Sequence, residues 1–557
     1  MRAPNHVARV TLCLSLLYPH LPAAASAQDA VPRLAGALLG DTPMVDDLRS
    51  LTDRIGGRPA GSPANLRAVE WALERFRAAG VPATKETFRM PGLWRERSAG
   101  AVVQGRDVEF APAVAAMPYS TGTSPGLTAR LVDGGQGRQE DYRALGSALR
   151  GAFVLIETAE LRDLDGIFRE YVEGIHIERA AFAAGAAGVI YQGSRPGNNL
   201  YRHNATLAFA NRHPVLAMER DGAARALRLL RAGAALTVSP VVDIETGPAY
   251  DSWNVIGEIR GAGRPDDIVI VGAHLDSWDH GTGALDNGAN VAMIIDLARQ
   301  IQRLGLRPAR TIRFALWNGE ELGLFGSFGY TLTHRAELDR HVMAASFDIG
   351  TGRITGFFTG GRADLIPVLD HGLLPLSGLG PFAHPNVPVV GTDNFDFMMQ
   401  GVPNLIANQE PANYAPNYHA RSDQFDKADL RQLRLNAAIA AAVTWEFANA
   451  ESARLPRHTA AQVDALIAAT DLEQQMRSYG NIWDAWIKGE RGRPARRRSR
   501  SHPRARSRAS APAHATAHWS RARPTPAVYP ATRTGPPRRL PLAPRTRADA
   551  TAPACRR

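Results

Sequence analysis

Cysteine is almost missing from this 557-residue chain: Cys13 and Cys555 are the only two, at opposite ends. The region between them can form no disulfide and offers no thiolate, so any metal it holds must be bound by His, Asp and Glu. Long apolar runs are missing too. The stretch Val10–Leu17 is followed by Pro19 and His20, well short of the roughly 20 residues of a membrane-spanning helix. No other run is long enough, and no membrane partner is expected. With Arg2 and Arg9 before it and Ala25-Ser26-Ala27 after it, the stretch has the form of a secretory signal cut after Ala27. Leu12 before Cys13 argues against a lipid anchor. Export of a large disulfide-free chain suits a secreted or periplasmic bacterial protein.

Basic charge is scarce where the core residues lie. The whole chain carries +11, but residues 491–557 hold 18 Arg, no Lys and the single acid Asp549, a net of +17 that leaves −6 for residues 1–490. This Arg/Pro/Ala-rich tail has no apolar periodicity and is expected to be disordered. It has only Trp519 and Tyr529 as stacking platforms, so no nucleic-acid partner is expected.

What the chain does have is a set of apolar runs that stop at acids or imidazoles. Ile268–Ala273 leads to His274-Leu275-Asp276, Thr311–Trp317 to Glu320-Glu321, and Val342–Phe347 to Asp348, while Asp286 and His419 stand in loops. Each run reads as a buried parallel strand. In open parallel sheets the site lies beyond the carboxyl ends of the strands, so three such endings converge on one crevice. Paired acids there would be costly to desolvate without a cation.

The rest of the chain divides by texture. Residues 28–95 begin an α/β domain, with a helix starting at Ser62-Pro63. Residues 96–249, with short strands such as 153–156, 189–191 and 215–218, look like an inserted α+β domain. The α/β pattern resumes over 250–490, with helices near 291–304 and 430–449. Two motifs mislead. Gly122-Thr123-Ser124-Pro125-Gly126 fits a serine-hydrolase elbow in spelling, but Pro125 has no N–H for an oxyanion hole and no buried strand precedes it, so it reads as a turn. Asn204-Ala205-Thr206 is a glycosylation triplet of a kind that arises often by chance.

Metal-assisted amide hydrolysis needs a Lewis acid, an activated water and a base, and two ions can share the work if one carboxylate bridges them. Asp286, in the glycine-rich loop 281–288, is the candidate bridge, although alone its position fits a helix N-cap. Asp276, two residues beyond His274, is placed to orient that ring or its neighbourhood. Of the adjacent Glu320 and Glu321, one can bind metal while the other holds the attacking water, and the residues alone do not say which.

The order His274-x-Asp276, Asp286, Glu320-Glu321, Asp348, His419, with Gly391-Thr392-Asp393 and Tyr418-His419-x-x-Ser422-Asp423, resembles the di-zinc exopeptidases that include aminopeptidase Y, glutamate carboxypeptidase and carboxypeptidase Q. GAHLDSWDHGTGAL, residues 272–285, looks most like the carboxypeptidase Q branch. The resemblance spans about 45–450, includes Gly56–Ser62, and likens the insert to a protease-associated domain. It implies a mixed, mainly parallel central sheet with helices on both faces. It also implies two zinc ions, one held by His274 and Asp348, the other by Glu321 and His419, with Asp286 bridging and Glu320 as general base. Asn318-Gly319 departs from the Ala common in relatives, and the tail has no counterpart. The expected activity is hydrolysis of dipeptides or short peptides from a free end. Aminopeptidase and dipeptidase action both stay open, and the carboxypeptidase Q branch points to a homodimer. A single-zinc glutaminyl cyclase and a non-catalytic binding protein of the same fold are the alternatives. Retention of both His274 and Asp348 argues against the first, and the intact ligand set against the second.

Overall fold

The strands of the computed structural model, which describes residues 27–203 and 211–492, form two sheets. In chain order they are β1 Ala83–Met90, β2 Leu93–Gly105, β3 Val108–Phe110, β4 Val114–Ala116, β5 Ala129–Asp133, β6 Phe153–Ile156, β7 Gly188–Gln192 and β8 Val215–Met218. Then follow β9 Leu236–Gly247, β10 Tyr250–Ile259, β11 Arg264–His274, β12 Arg310–Trp317, β13 His341–Ser346, β14 Ile354–Phe358 and β15 Asn404–Gln409. The expected signal peptide, all but its last residue Ala27, the Asn204-Ala205-Thr206 triplet and the tail from 493 lie outside the described residues.

The first sheet runs β1-β10-β12-β11-β13-β15-β14. Its four middle strands are parallel, while β10 and β14 pair antiparallel with them and β1 pairs antiparallel with β10. From Ile268 to His274 every residue of β11 is buried, as a strand covered on both faces requires. The pleat sends Val269, Val271 and Ala273 into a core shared with the helices Ala27–Leu39, Pro63–Ala78, Ala289–Arg303 and Leu430–Asn449. Ile270 faces the other way, toward Trp317, Tyr330 and Phe397, under the helices Phe325–Thr333 and Asn394–Met399. Each Val or Ile buried this way contributes roughly 1.5–3 kcal/mol, which makes the strand ends a firm base for the loops they carry. Gly272 is required where β11 passes β12, since a Cβ there would lie 2.6 Å from Trp317 Nε1.

The expected helix start at Ser62-Pro63 is present: Ser62 Oγ accepts from Asn65 N–H at 3.1 Å. Asn65 Nδ2 donates to Asn318 Oδ1 at 2.7 Å, and Asn318 Nδ2 donates to the Trp253 carbonyl at 2.6 Å. The departure at Asn318 is thus a buried clamp between this helix, β10 and the turn that carries the glutamate pair.

The second sheet runs β3-β2-β9-β5-β6-β7-β8-β4, all from residues 93–247. It leaves the first where β1 and β10 pair antiparallel, with Met90 opposite Tyr250. Its core continues into Trp278, Leu322 and Ala420, which belong to the loops above the first sheet. Residues 122–126 form a loop with a turn at Pro125-Gly126 between β4 and β5, not a strand-to-helix elbow.

Candidate metal centre

β11 ends at His274, the turn after β12 carries Glu320 and Glu321, and Asp348 follows β13, so the three endings meet at one edge of the sheet. His274 Nε2 lies 2.9 Å from Asp348 Oδ1 and 3.0 Å from Asp286 Oδ1. His419 Nε2 lies 3.1 Å from Asp286 Oδ2 and 3.0 Å from Glu321 Oε2. One carboxylate therefore faces two imidazoles, one oxygen to each. All five of these residues, His274, Asp286, Glu321, Asp348 and His419, are buried.

The remaining nitrogen of each ring decides how this cluster must be read. His274 Nδ1 is 3.0 Å from the Asp276 carbonyl, and His419 Nδ1 is 3.1 Å from the Arg202 carbonyl. A carbonyl only accepts, so both Nδ1 atoms carry a proton and each neutral ring turns its Nε2 lone pair toward two carboxylates. Without positive charge between them these acceptors repel. As protein groups alone they answer by titrating. Burial pulls His419 down, yet Glu321 and Asp286 raise it to about 9, and burial lifts Glu321 to about 7. Among the described residues, Glu321 Oε1 has no hydrogen-bond partner. Ligands 2.0–2.1 Å from a tetrahedral zinc lie about 3.3 Å apart, close to the spacings found. Two triads fit a cation, His274/Asp286/Asp348 and Asp286/Glu321/His419, with every donor atom within 4.8 Å of the others in its set.

Glu320 stands apart from the triads and is only half-buried. Burial, reinforced by Asp348 and Glu321 against the pull of His274, raises its carboxyl well above the usual range. Asp276 does not orient the His274 ring with its carboxylate, which is 3.8 Å from Nδ1; its carbonyl does that, while Oδ1 accepts from the Glu320 N–H at 3.3 Å. Nor is Asp286 a helix cap. The N-cap of Ala289–Arg303 is Gly288, and the Asp286 side chain is taken by the imidazoles and by Tyr414, whose Oη donates to Oδ2 at 3.1 Å.

Two residues from outside the loop 281–288 hold it, and nothing in the local sequence assigns either that role. Asp423 accepts from the backbone N–H groups of Ala284, Leu285 and Asp286 at 3.0, 2.7 and 3.1 Å. Arg58, wholly buried, donates to the carbonyls of Leu275, Thr282 and Gly283. Between them they set the position of the bridging carboxylate. Gly283 has φ +62°, and a Cβ there would meet Ser277 at 2.4 Å. Around the acids stand Tyr171, Tyr414, Tyr418 and Tyr479. Tyr171 and Tyr418 share a hydroxyl hydrogen bond, Tyr479 lies 5.2 Å from Tyr171, and Tyr418 stacks on His419 at 3.7 Å. Asp393 is buried nearby, and burial raises its carboxyl well above the ordinary value.

Residues 254–444, which contain all of the clustered side chains, match the model of Peptidase family M28. Carboxypeptidase Q of Mus musculus is 27% identical over 416 residues, 73% of this chain and 86% of its own length. A peptidase M28 precursor from Shewanella amazonensis SB2B superposes with a TM-score of 0.70 at 29% identity, over 78% of this chain and 99% of that one. The fold is also that of BSAP, a zinc aminopeptidase from Bacillus subtilis, with a TM-score of 0.56 at 21% identity over 74% and 97% of the two chains. Strand endings that gather two acid-and-imidazole triads, and relatives that align along most of their length, make this chain a metallopeptidase similar to those of peptidase family M28.

Proposed function

We propose that the chain is an exported two-zinc exopeptidase that hydrolyses dipeptides or short peptides from a free end. The observation that carries this reading is Asp286, whose two oxygens each face a different imidazole at 3.0 and 3.1 Å. His274 and Asp348 would hold one ion, Glu321 and His419 the other, and Asp286 both. When bound, zinc polarises the scissile carbonyl and lowers the pKa of a water.

The protein's own part is to place a base and to fix its neighbours. Glu320, half-buried beside the triads, accepts the proton of the attacking water and returns it to the leaving amine. A carboxyl lifted by burial holds that proton well between the two steps. Asp276, by accepting the Glu320 N–H, is a positioning residue. Tyr171, from the helix Leu164–Ala183, and Tyr479, before the helix Gly480–Ile487, pack together at the site, and Tyr479 is close enough to feel the charges of Glu320 and Asp348. We read this aromatic wall as what limits the cleft to short peptides, and the second sheet as a protease-associated-like insert that supplies half of it. Export rests on the N-terminal signal pattern. No described helix is long and apolar enough to cross a membrane.

The test is zinc content measured beside hydrolysis of free, N-blocked and C-blocked dipeptides. Two zinc ions per chain, with cleavage of free dipeptides abolished by a chelator, are expected. One zinc per chain with cyclisation of N-terminal glutamine would establish the cyclase instead, and zinc binding without turnover of any peptide would leave a binding protein.

A further inference from the structure

Resting on the two-zinc reading, we infer that Arg202, a residue of the insert, is a positioning residue for the Glu321/His419 ion. His419 sits at φ +57°, a left-handed conformation that a non-glycine residue keeps only when its surroundings hold it there. What holds it is a short antiparallel pairing between residues 200–202 and 419–421. Tyr201 bridges to Ala420, Arg421 N–H donates to the Leu200 carbonyl at 2.9 Å, and Arg202 N–H donates to the His419 carbonyl at 3.1 Å. The same Arg202 returns its own carbonyl to His419 Nδ1–H at 3.1 Å. One residue thereby fixes both the backbone and the tautomer of this imidazole.

The Arg202 side chain in turn fixes that residue. It is 1% exposed, and its guanidinium forks onto Asp279, with Nε to Oδ1 at 2.6 Å and Nη2 to Oδ2 at 2.9 Å. Nη1 reaches Glu96 Oε2 at 3.0 Å and the Ala116 carbonyl at 2.7 Å. Asp279 lies in the loop after β11, and Glu96 and Ala116 lie on β2 and β4. The guanidinium therefore pins the carbonyl that His419 needs to both sheets at once. Upstream, the buried Arg195 donates to the Tyr418 carbonyl at 2.9 Å and pairs with Glu170. His274 has no such dependence, because its acceptor is two residues along its own strand end. Outer hydrogen bonds of metal-bound histidines typically change metal affinity 10- to 100-fold when lost. Here that loss should fall on one ion and spare the other.

The experiment follows zinc leaving the full-length holoenzyme into a chelator, ion by ion, for wild type, Arg202→Met, Arg202→Lys and Asp279→Asn. Arg95→Met, which breaks the Arg95–Glu245 pair elsewhere on the second sheet, is the control. In Arg202→Met one zinc should leave about 10- to 100-fold faster and the second at the wild-type rate. Asp279→Asn should show the same one-ion effect more weakly, Arg202→Lys should restore part of it, and Arg95→Met should show none. Equal acceleration of both ions, or wild-type release in both Arg202→Met and Asp279→Asn, overturns the inference. If Arg202→Met does not fold, Asp279→Asn and Arg202→Lys carry the same comparison. A wild-type chain that holds fewer than two zinc ions refutes the two-zinc reading beneath it, a separate result.

Discussion

His274 and His419 present the same nitrogen to the same carboxylate, yet they are placed in different ways. His274 ends a strand buried on both sides, Asp348 follows the neighbouring strand, and the ring's supporting carbonyl belongs to Asp276 two positions on. His419 stands in a loop after the short helix Tyr414–Asn417, in a strained backbone conformation, and its supporting carbonyl comes from 217 residues upstream. The first half of the site is a product of the sheet. The second is assembled by contacts between distant segments, and such a half should be the more sensitive to anything that loosens the second sheet.

Three further measurements bear on whether the two halves differ. Asp286→Ala removes the shared carboxylate, so both halves should fail together: zinc content should fall toward none and turnover below detection, and retention of one firmly bound zinc would show that the halves are independent. Glu320→Gln touches neither half. It should leave zinc content unchanged and lower kcat by about 10²- to 10⁴-fold, and near-normal turnover would remove Glu320 from its role.

The smallest effect concerns the second sheet alone. Glu178, on the helix Leu164–Ala183 beside that sheet, is buried, receives the hydroxyl of Tyr191 on β7 at 3.2 Å, and has its carboxyl raised by burial from 4.5 to about 8. The folded chain thus keeps a proton that the unfolded chain has lost, and stability falls as pH rises from about 4.5 to 8, by a few kcal/mol at most. Glu178→Gln should flatten that fall in thermal melts. If the halves differ as described, wild type at pH 8 should also release the His419-side zinc faster relative to the other than Glu178→Gln does.

Much of this arrangement was legible in local pattern. The strands 153–156 and 215–218 and the helix 430–449 lie where periodicity and turn residues put them, and the apolar runs ending at 273, 317 and 347 are β11, β12 and the approach to Asp348. A strand buried on both faces writes itself as an unbroken apolar run, so both it and the residue that ends it can be read. Asp286 could not be read so directly, because a carboxylate three residues before a helix is spelled the same whether it caps or bridges. Arg58, Arg202 and Asp423 gave still less. Each acts on main-chain groups or acids more than 75 residues away, and a hydrogen bond to a carbonyl leaves no mark on the residue that accepts it. The glycines around Arg58 and the spacing of Asp423 four places after His419 were the only local hints.

The way the second sheet is attached limits any attempt to shorten the enzyme. Met90 and Tyr250 face each other across an antiparallel pair, so a tight hairpin could splice out everything between them with the first sheet's strand order intact. The product of that surgery would nonetheless be crippled. Trp278, Leu322 and Ala420 would be stripped to water, Asp279 would lose its cation, and the imidazole of His419 would swing free.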